Sequence, residues 1–210
     1  GRGGVAARSG SEGVIRALVE VKTKLGLDAA QLVTFMSDSV ATRIESDGFI
    51  PALVKVKTEL GLDAAQLVTF IGGSVAARIE REGFTEAIVE MKTKFNLNDA
   101  QLVKFMSDSV AARIESEGFI QTLVEVKTKL GLDAAQLVTC MNGSVAARIE
   151  SEGFIQALVE VKTKLGLDAA QLVTFMSGSV ATRIESEGFI QALVEVKTKL
   201  GLDAAQLVTF

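Results

Sequence analysis

Apolar residues recur along the chain at helical spacings. In the stretch 154–165, Phe154, Leu158, Val161 and Leu165 stand at i, i+4, i+7 and i+11, which share one face of a helix with 3.6 residues per turn. Ile155 and Val159 make a second stripe beside the first, so this helix is expected to be covered on two sides. Further back, Leu137, Cys140 and Met141 fall at i, i+3 and i+4, again a single helical face. Between these runs lie the turn dipeptide Asn142-Gly143, then Ser144 as a cap for a short helix over 145–150, then Ser151, Glu152 and Gly153 as its stop. Pro51, the sole proline, follows Gly48 by three residues. Proline is tolerated in the first turn of a helix and not deeper, so a helix start is predicted near Ile50.

The boundary that follows the long helix is written in polar residues. Gly166 comes after Leu165, where a helix needs a left-handed residue to close. Asp168 is a good N-cap, and Gln171 three residues on completes a capping box. Leu167 and Leu172 flank the cap at the spacing of a hydrophobic staple. One helix is therefore expected to stop and the next to start within three residues.

The same stretch returns at Gly26, Gly61, Asn96, Gly131, Gly166 and Gly201, always 35 residues apart, so six units account for all 210 residues. Self-similarity at such a period is the mark of stacked repeats. The predicted fold is an all-α solenoid, a superhelix of either hand. It is read as one domain over 1–210 with repeats 1–35, 36–70, 71–105, 106–140, 141–175 and 176–210, each with two long helices and a short one. In the third unit Asn96 and Asn98 replace the glycine and the aspartate, and asparagine suits both roles. The first unit has Ser9 and Gly10 where others have Ile and Glu, so its short helix is expected to fray. The last unit is an ordinary internal one without a polar cap. End-to-end self-association and an origin in a longer array are expected from these ends.

Composition narrows the function. The chain has no histidine, tryptophan or tyrosine and one cysteine, Cys140, in the slot held elsewhere by Phe35, Phe70, Phe105, Phe175 and Phe210. The commonest general base and metal ligand are absent, and no disulfide can form within the chain. Carboxylates such as Glu150 and Glu152 recur in nearly every unit, as a solvated helix face does. No enzyme, cofactor or metal is therefore expected. No apolar run reaches the roughly 18 residues of a membrane span, and a reducing, intracellular compartment is favoured. With 26 acidic and 22 basic residues the net charge is −4, which argues against a polybasic coat for nucleic acid.

The units differ mainly at one dipeptide: Arg2-Gly3, Ser37-Asp38, Gly72-Gly73, Ser107-Asp108, Asn142-Gly143 and Ser177-Gly178. A second variable slot holds Arg16, Pro51, Glu86, Gln121, Gln156 and Gln191, while Arg8, Arg43, Arg78, Arg113, Arg148 and Arg183 are constant. These dipeptides are ordinary turn residues, free to drift. They are also what a modular reader would display, one pair per unit, as arrays that read one base per repeat do.

The segment Leu27-Asp-Ala-Ala-Gln31-Leu-Val33-Thr-Phe-Met-Ser37, followed by a variable residue, resembles the first helix of a TAL-effector repeat. Gly153-Phe-Ile-Gln-Ala-Leu158-Val-Glu-Val161 resembles the second. That resemblance implies binding to double-stranded DNA, with the pairs Ser37 and Asp38, Gly72 and Gly73, Ser107 and Asp108, Asn142 and Gly143, and Ser177 and Gly178 facing bases. Asp38 and Asp108 would accept from the cytosine amine, and Gly73, Gly143 and Gly178 would admit the thymine methyl, giving C, T, C, T, T. Arg43, Arg78, Arg113, Arg148 and Arg183, within the short helices, would then contact phosphates. Alternatively, these arginines sit on a solvated face, each paired with the acid four positions on, namely Asp47, Glu82, Glu117, Glu152 and Glu187. The layout with Leu-Gly-Leu-Asp opening a helix is also similar to mitochondrial transcription termination factors, another nucleic-acid-binding family. Outside any resemblance, a protein-binding or self-stacking scaffold with no nucleic-acid role remains open.

Overall fold

A computed structural model describes residues 2–106, 108–141 and 143–210, the side chains of residues 2–11 and 108 excepted. The chain is all-helical, with no strand among the described residues, and it packs as two units, Gly1–Glu115 and Ser116–Phe210. The first unit holds α1 (Arg2–Leu25), α2 (Ala29–Phe35), α3 (Asp38–Ala41), α4 (Phe49–Leu60), α5 (Ala64–Phe70), α6 (Gly73–Arg78), α7 (Phe84–Lys94), α8 (Asp99–Phe105) and α9 (Asp108–Ala111). The second holds α10 (Phe119–Leu130), α11 (Ala134–Cys140), α12 (Gly143–Arg148), α13 (Phe154–Leu165), α14 (Ala169–Phe175), a 3-10 turn at Gly178–Thr182, α15 (Phe189–Leu200) and α16 (Ala204–Thr209).

Like packs on like. In the first unit the long helices α1, α4 and α7 touch in succession, as do the capped helices α2, α5 and α8 and the short helices α3, α6 and α9. In the second unit α10, α13 and α15 form one row, α11, α14 and α16 another, and α12 meets the 3-10 turn. The apolar stripe predicted for 154–165 is the core seam: Phe154, Leu158, Val161 and Leu165 are all fully buried, and so are Phe119, Leu123, Val126 and Leu130 of α10. Each such Leu, Val or Phe contributes roughly 1.5–3 kcal/mol. The flanking stripe of Ile155 and Val159 is half-buried. Cys140 is buried in its phenylalanine slot.

The polar punctuation forms as the sequence predicts. Each capped helix begins with a complete capping box: the Asp168 side chain accepts from the Gln171 backbone N–H at 2.7 Å, and Gln171 Oε1 accepts from the Asp168 N–H at 2.9 Å. The same pair of bonds joins Asn98 to Gln101. Asn96 adopts φ 52°, the left-handed conformation that Gly131 and Gly166 supply at the equivalent places. Pro51 is the third residue of α4, within its first turn.

Four expectations are corrected. The capped helices are not long: α14 has seven residues against twelve in α13. Ser144 is the second residue of α12 and not its cap, because Met141 already leaves the helical region at ψ 49° and the turn closes one residue early. Arg43 and Arg113 lie beyond the ends of α3 and α9, and Arg183 follows the 3-10 turn; only Arg78 and Arg148 end their short helices. The frayed start is not found either: α1 runs unbroken for 24 residues. Elsewhere a buried isoleucine, Ile44, Ile79, Ile114, Ile149 or Ile184, and usually a phenylalanine such as Phe49 or Phe154, pin the turn between short and long helix. The first repeat has Ser9 and Val14 at these positions.

Candidate nucleic-acid interface and the clefts beside it

The variable pair falls where the chain passes from capped to short helix. Its first member is an N-cap in the second and third repeats, Ser37 and Gly72, and its second member opens the short segment. Asp38, Gly73, Gly143 and Gly178 are exposed, as are Gly72 and Ser177. Ser37 differs: its hydroxyl oxygen is shielded and has no hydrogen-bond partner. Ser107, Asn142 and the Asp108 side chain lie outside the described residues, as do the side chains of Arg2 and Arg8. The form of the short segment differs with the pair. After Gly-Gly and Asn-Gly it is a six-residue helix, after Ser-Asp a four-residue helix, and after Ser-Gly a 3-10 turn with Gly178 at φ 86°.

The arginines turn back on their own segments. Arg43 and Arg113 each donate through Nη1 to the carbonyl four residues earlier, Ser39 O and Ser109 O, at 2.8 Å; Arg148 reaches Ser144 O at 3.1 Å and Arg78 reaches Ser74 O at 3.4 Å. In α3 and α9 the carbonyl reached is among the last four of the helix, which have no intrahelical amide partner; in α6 and α12 it is that of the helix's second residue. All four side chains are half-buried, and Arg183 is exposed. Among the described residues none of the five comes within ion-pair distance of the acid four positions on.

The lysines are similarly engaged. Lys92 donates to Leu60 O at 2.8 Å and Lys197 to Leu165 O at 3.0 Å, so each clips its long helix to the C-terminal end of the preceding one. Lys92 also meets Asp99 at 2.9 Å. Lys24, Lys94, Lys129 and Lys164 pair with Glu20, Glu90, Glu125 and Glu160 along the outer face. Side chains from successive repeats also meet directly: Ser46 donates to Glu80 at 2.9 Å, Arg81 pairs with Glu115 at 3.1 Å, and Lys55 pairs with Glu86. The hydrogen bond with Glu86 raises the pKa of Lys55, and the same bond lowers that of Glu86.

A recurrent cleft opens beside these contacts, between the outer face of one long helix and the turn that starts the next. It is seen between α1 and residues 44–51, between α4 and residues 79–86, between α10 and residues 149–156, and between α13 and residues 184–191. The volumes run from about 270 to about 540 Å³. Each is lined by several carboxylates: Glu45 and Asp47, Glu80 and Glu82, Glu150 and Glu152, Glu185 and Glu187. The second variable slot lines them too, through Arg16, Pro51, Glu86, Gln156 and Gln191. Periodicity alone did not reveal this: the sequence shows the slot varying, but the facing turn is contributed from about one repeat away. Among the described residues no cluster of His, Cys, Asp or Glu is arranged to hold a metal ion, and no helix is long and apolar enough to cross a membrane.

No family model, curated protein or solved structure matches the chain.

Proposed function

We propose that the protein is an α-solenoid of six 35-residue repeats that binds an extended, basic polypeptide in its recurrent acidic clefts. The observation that carries this reading is that the same carboxylate-lined cleft occurs twice in each unit, at α1 and α4 and at α10 and α13, with residues of the variable slot at its wall. A repeated scaffold whose clefts carry one or two residues of the variable slot is suited to presenting similar sites in succession to one extended ligand. The charge agrees: the basic residues are largely committed to carbonyls and to neighbouring acids, while Glu152, Glu185 and Glu187 stay exposed. Neighbouring packed helices stand about 8–10 Å apart, the reach of about three residues of extended chain at ~3.3 Å each. A ligand with lysine or arginine at every third position therefore fits best. Fluorescence anisotropy with such a labelled peptide should show saturable binding that weakens with salt. It should weaken further in the variant Glu152→Gln/Glu187→Gln, while a peptide with its cations at every second position binds less well. Equal affinity for both peptides, or for both proteins, would sink the proposal.

A second reading, the DNA array implied by the resemblance to TAL-effector repeats, is favoured by one observation. Asp38, Gly73, Gly143 and Gly178 are exposed at equivalent places, as base-reading residues would be. Selection from a random duplex library at low salt tests it. A preferred sequence that changes at one position in Asp38→Gly supports it, and no enrichment removes it.

A further inference from the structure

Resting on the reading of the clefts as peptide sites, we infer that the one between α4 and residues 79–86 turns away a cationic side chain and takes an uncharged polar one, with Lys55 as the residue that sets this specificity. Four positions that line each of these clefts distinguish it. On the long helix, Glu20, Glu125 and Glu160 line theirs where Lys55 lines this one. In the facing turn, Arg81 stands where Ser46, Ser151 and Ser186 line the others, and Thr85 where Ile50, Ile155 and Ile190 do. The variable slot brings Pro51, Gln156 and Gln191 to the others and Glu86 to this one.

The ion pairs are rearranged to match. In α1, α7, α10 and α13 the glutamate is held by a lysine four residues on in the same helix, Glu20 by Lys24, Glu90 by Lys94, Glu125 by Lys129 and Glu160 by Lys164. In α4 the order is reversed, Lys55 coming before Glu59, and the pair that forms joins Lys55 to Glu86 across the cleft. Arg81 is likewise held by Glu115 at 3.1 Å, and Glu80 accepts from Ser46 at 2.9 Å. A ligand ammonium entering here would have to displace one that the chain itself supplies, whereas the α13 cleft sets Glu152, Glu160, Glu185 and Glu187 against Lys164 alone. Thr85 also removes the isoleucine on which the apolar stem of a lysine would lie. What stays open is hydrogen bonding of both kinds. Lys55 and Arg81 carry more donors than one partner each uses, and their side chains are 47% and 59% exposed. Glu82 is an exposed acceptor on the same cleft. An amide or hydroxyl side chain answers both without bringing a charge.

The full chain with Lys55→Glu/Glu86→Gln tests this, because the exchange installs the pair that Glu160 and Gln191 make at the α13 cleft. Lys104→Gln, on the capped helix α8 and away from these clefts, changes the net charge equally and is the control; circular dichroism should confirm that both variants keep their helicity. In fluorescence anisotropy with a labelled peptide carrying lysine at every third position, the double variant should bind about threefold more tightly than the wild type, the scale of one exposed charge pair, and the control should not. In nitrogen-15 spectra the peptide should shift the amide of Gly188, on the α13 cleft, and leave that of Gly83, on the α4 cleft, in place; in the double variant both should move. Among peptides in which glutamine replaces one lysine at a time, one should bind the wild type no more weakly than the parent does yet forfeit the variant's gain. Equal affinity of wild type and double variant, a gain matched by Lys104→Gln, a Gly83 shift in the wild type as large as that of Gly188, or a peptide set with no such member would overturn the inference while leaving the clefts as peptide sites. Absence of binding to all three proteins would remove both.

Discussion

The aspartate that caps α2, α5, α11, α14 and α16 does more than its size suggests. Asp63 accepts from the Gln66 N–H at 2.7 Å while Gln66 returns a bond to the Asp63 N–H at 2.9 Å, so two backbone donors that a helix start leaves open are satisfied by one pair. Asp63→Ala should cost about 1 kcal/mol by urea denaturation, and Asp63→Asn close to nothing, as Asn98 does the same work in the third repeat. Cys140 gives a second residue-scale outcome. Burial pushes its thiol from an ordinary 9.0 up to about 11, so the unfolded chain loses this proton first. Its contribution is full below about pH 9 and is lost as pH rises through 11, up to roughly 3 kcal/mol by linkage. Stability of the wild type should therefore fall more steeply over that window than that of Cys140→Ala, and iodoacetamide at neutral pH should label only the unfolded protein. Caps, stop residues and core stripe were legible in the sequence because each is decided within about four residues. The arginine and lysine partners were not. A guanidinium or ammonium bonds to whichever carbonyl the fold leaves open, and for Lys92 that is Leu60 O, 32 residues away.

At the scale of elements, the turn between short and long helix depends on one buried side chain. Ile149 is 1% exposed, and Ile149→Ala should cost about 2–5 kcal/mol in a denaturant titration. In the first repeat, where Ser9 and Val14 stand in place of the isoleucine and phenylalanine, α1 is continuous. The repeat pattern predicts a frayed short helix there, from Ser9 and Gly10, and not one long helix. The form of the short segment was equally hidden. Glycine, aspartate and serine all read as turn formers, yet Gly73 after Gly72 opens a helix of six residues and Asp38 after Ser37 one of only four. Ser37→Gly/Asp38→Gly should lengthen α3 toward the form of α6, a change visible in the backbone carbon chemical shifts of Thr42 and Arg43.

Within each of the two units, contacts run from a helix to its counterpart one repeat away. If the six repeats form a single array, stability is a sum of repeat and interface terms. Inserting a second copy of residues 141–175 after Phe175 should then raise both the denaturant midpoint and the m-value, which scales with buried surface; an unchanged m-value would show that the added copy does not dock. The like-on-like packing has one more outcome, concerning how such a protein changes over generations. Side-chain clips such as Ser46 to Glu80 and Lys197 to Leu165 span 34 and 32 positions, so a gene that gains or loses one 105-base-pair unit by slipped recombination keeps every remaining partnership in phase. The lineage can lengthen or shorten its protein in whole steps without having to reinvent a core.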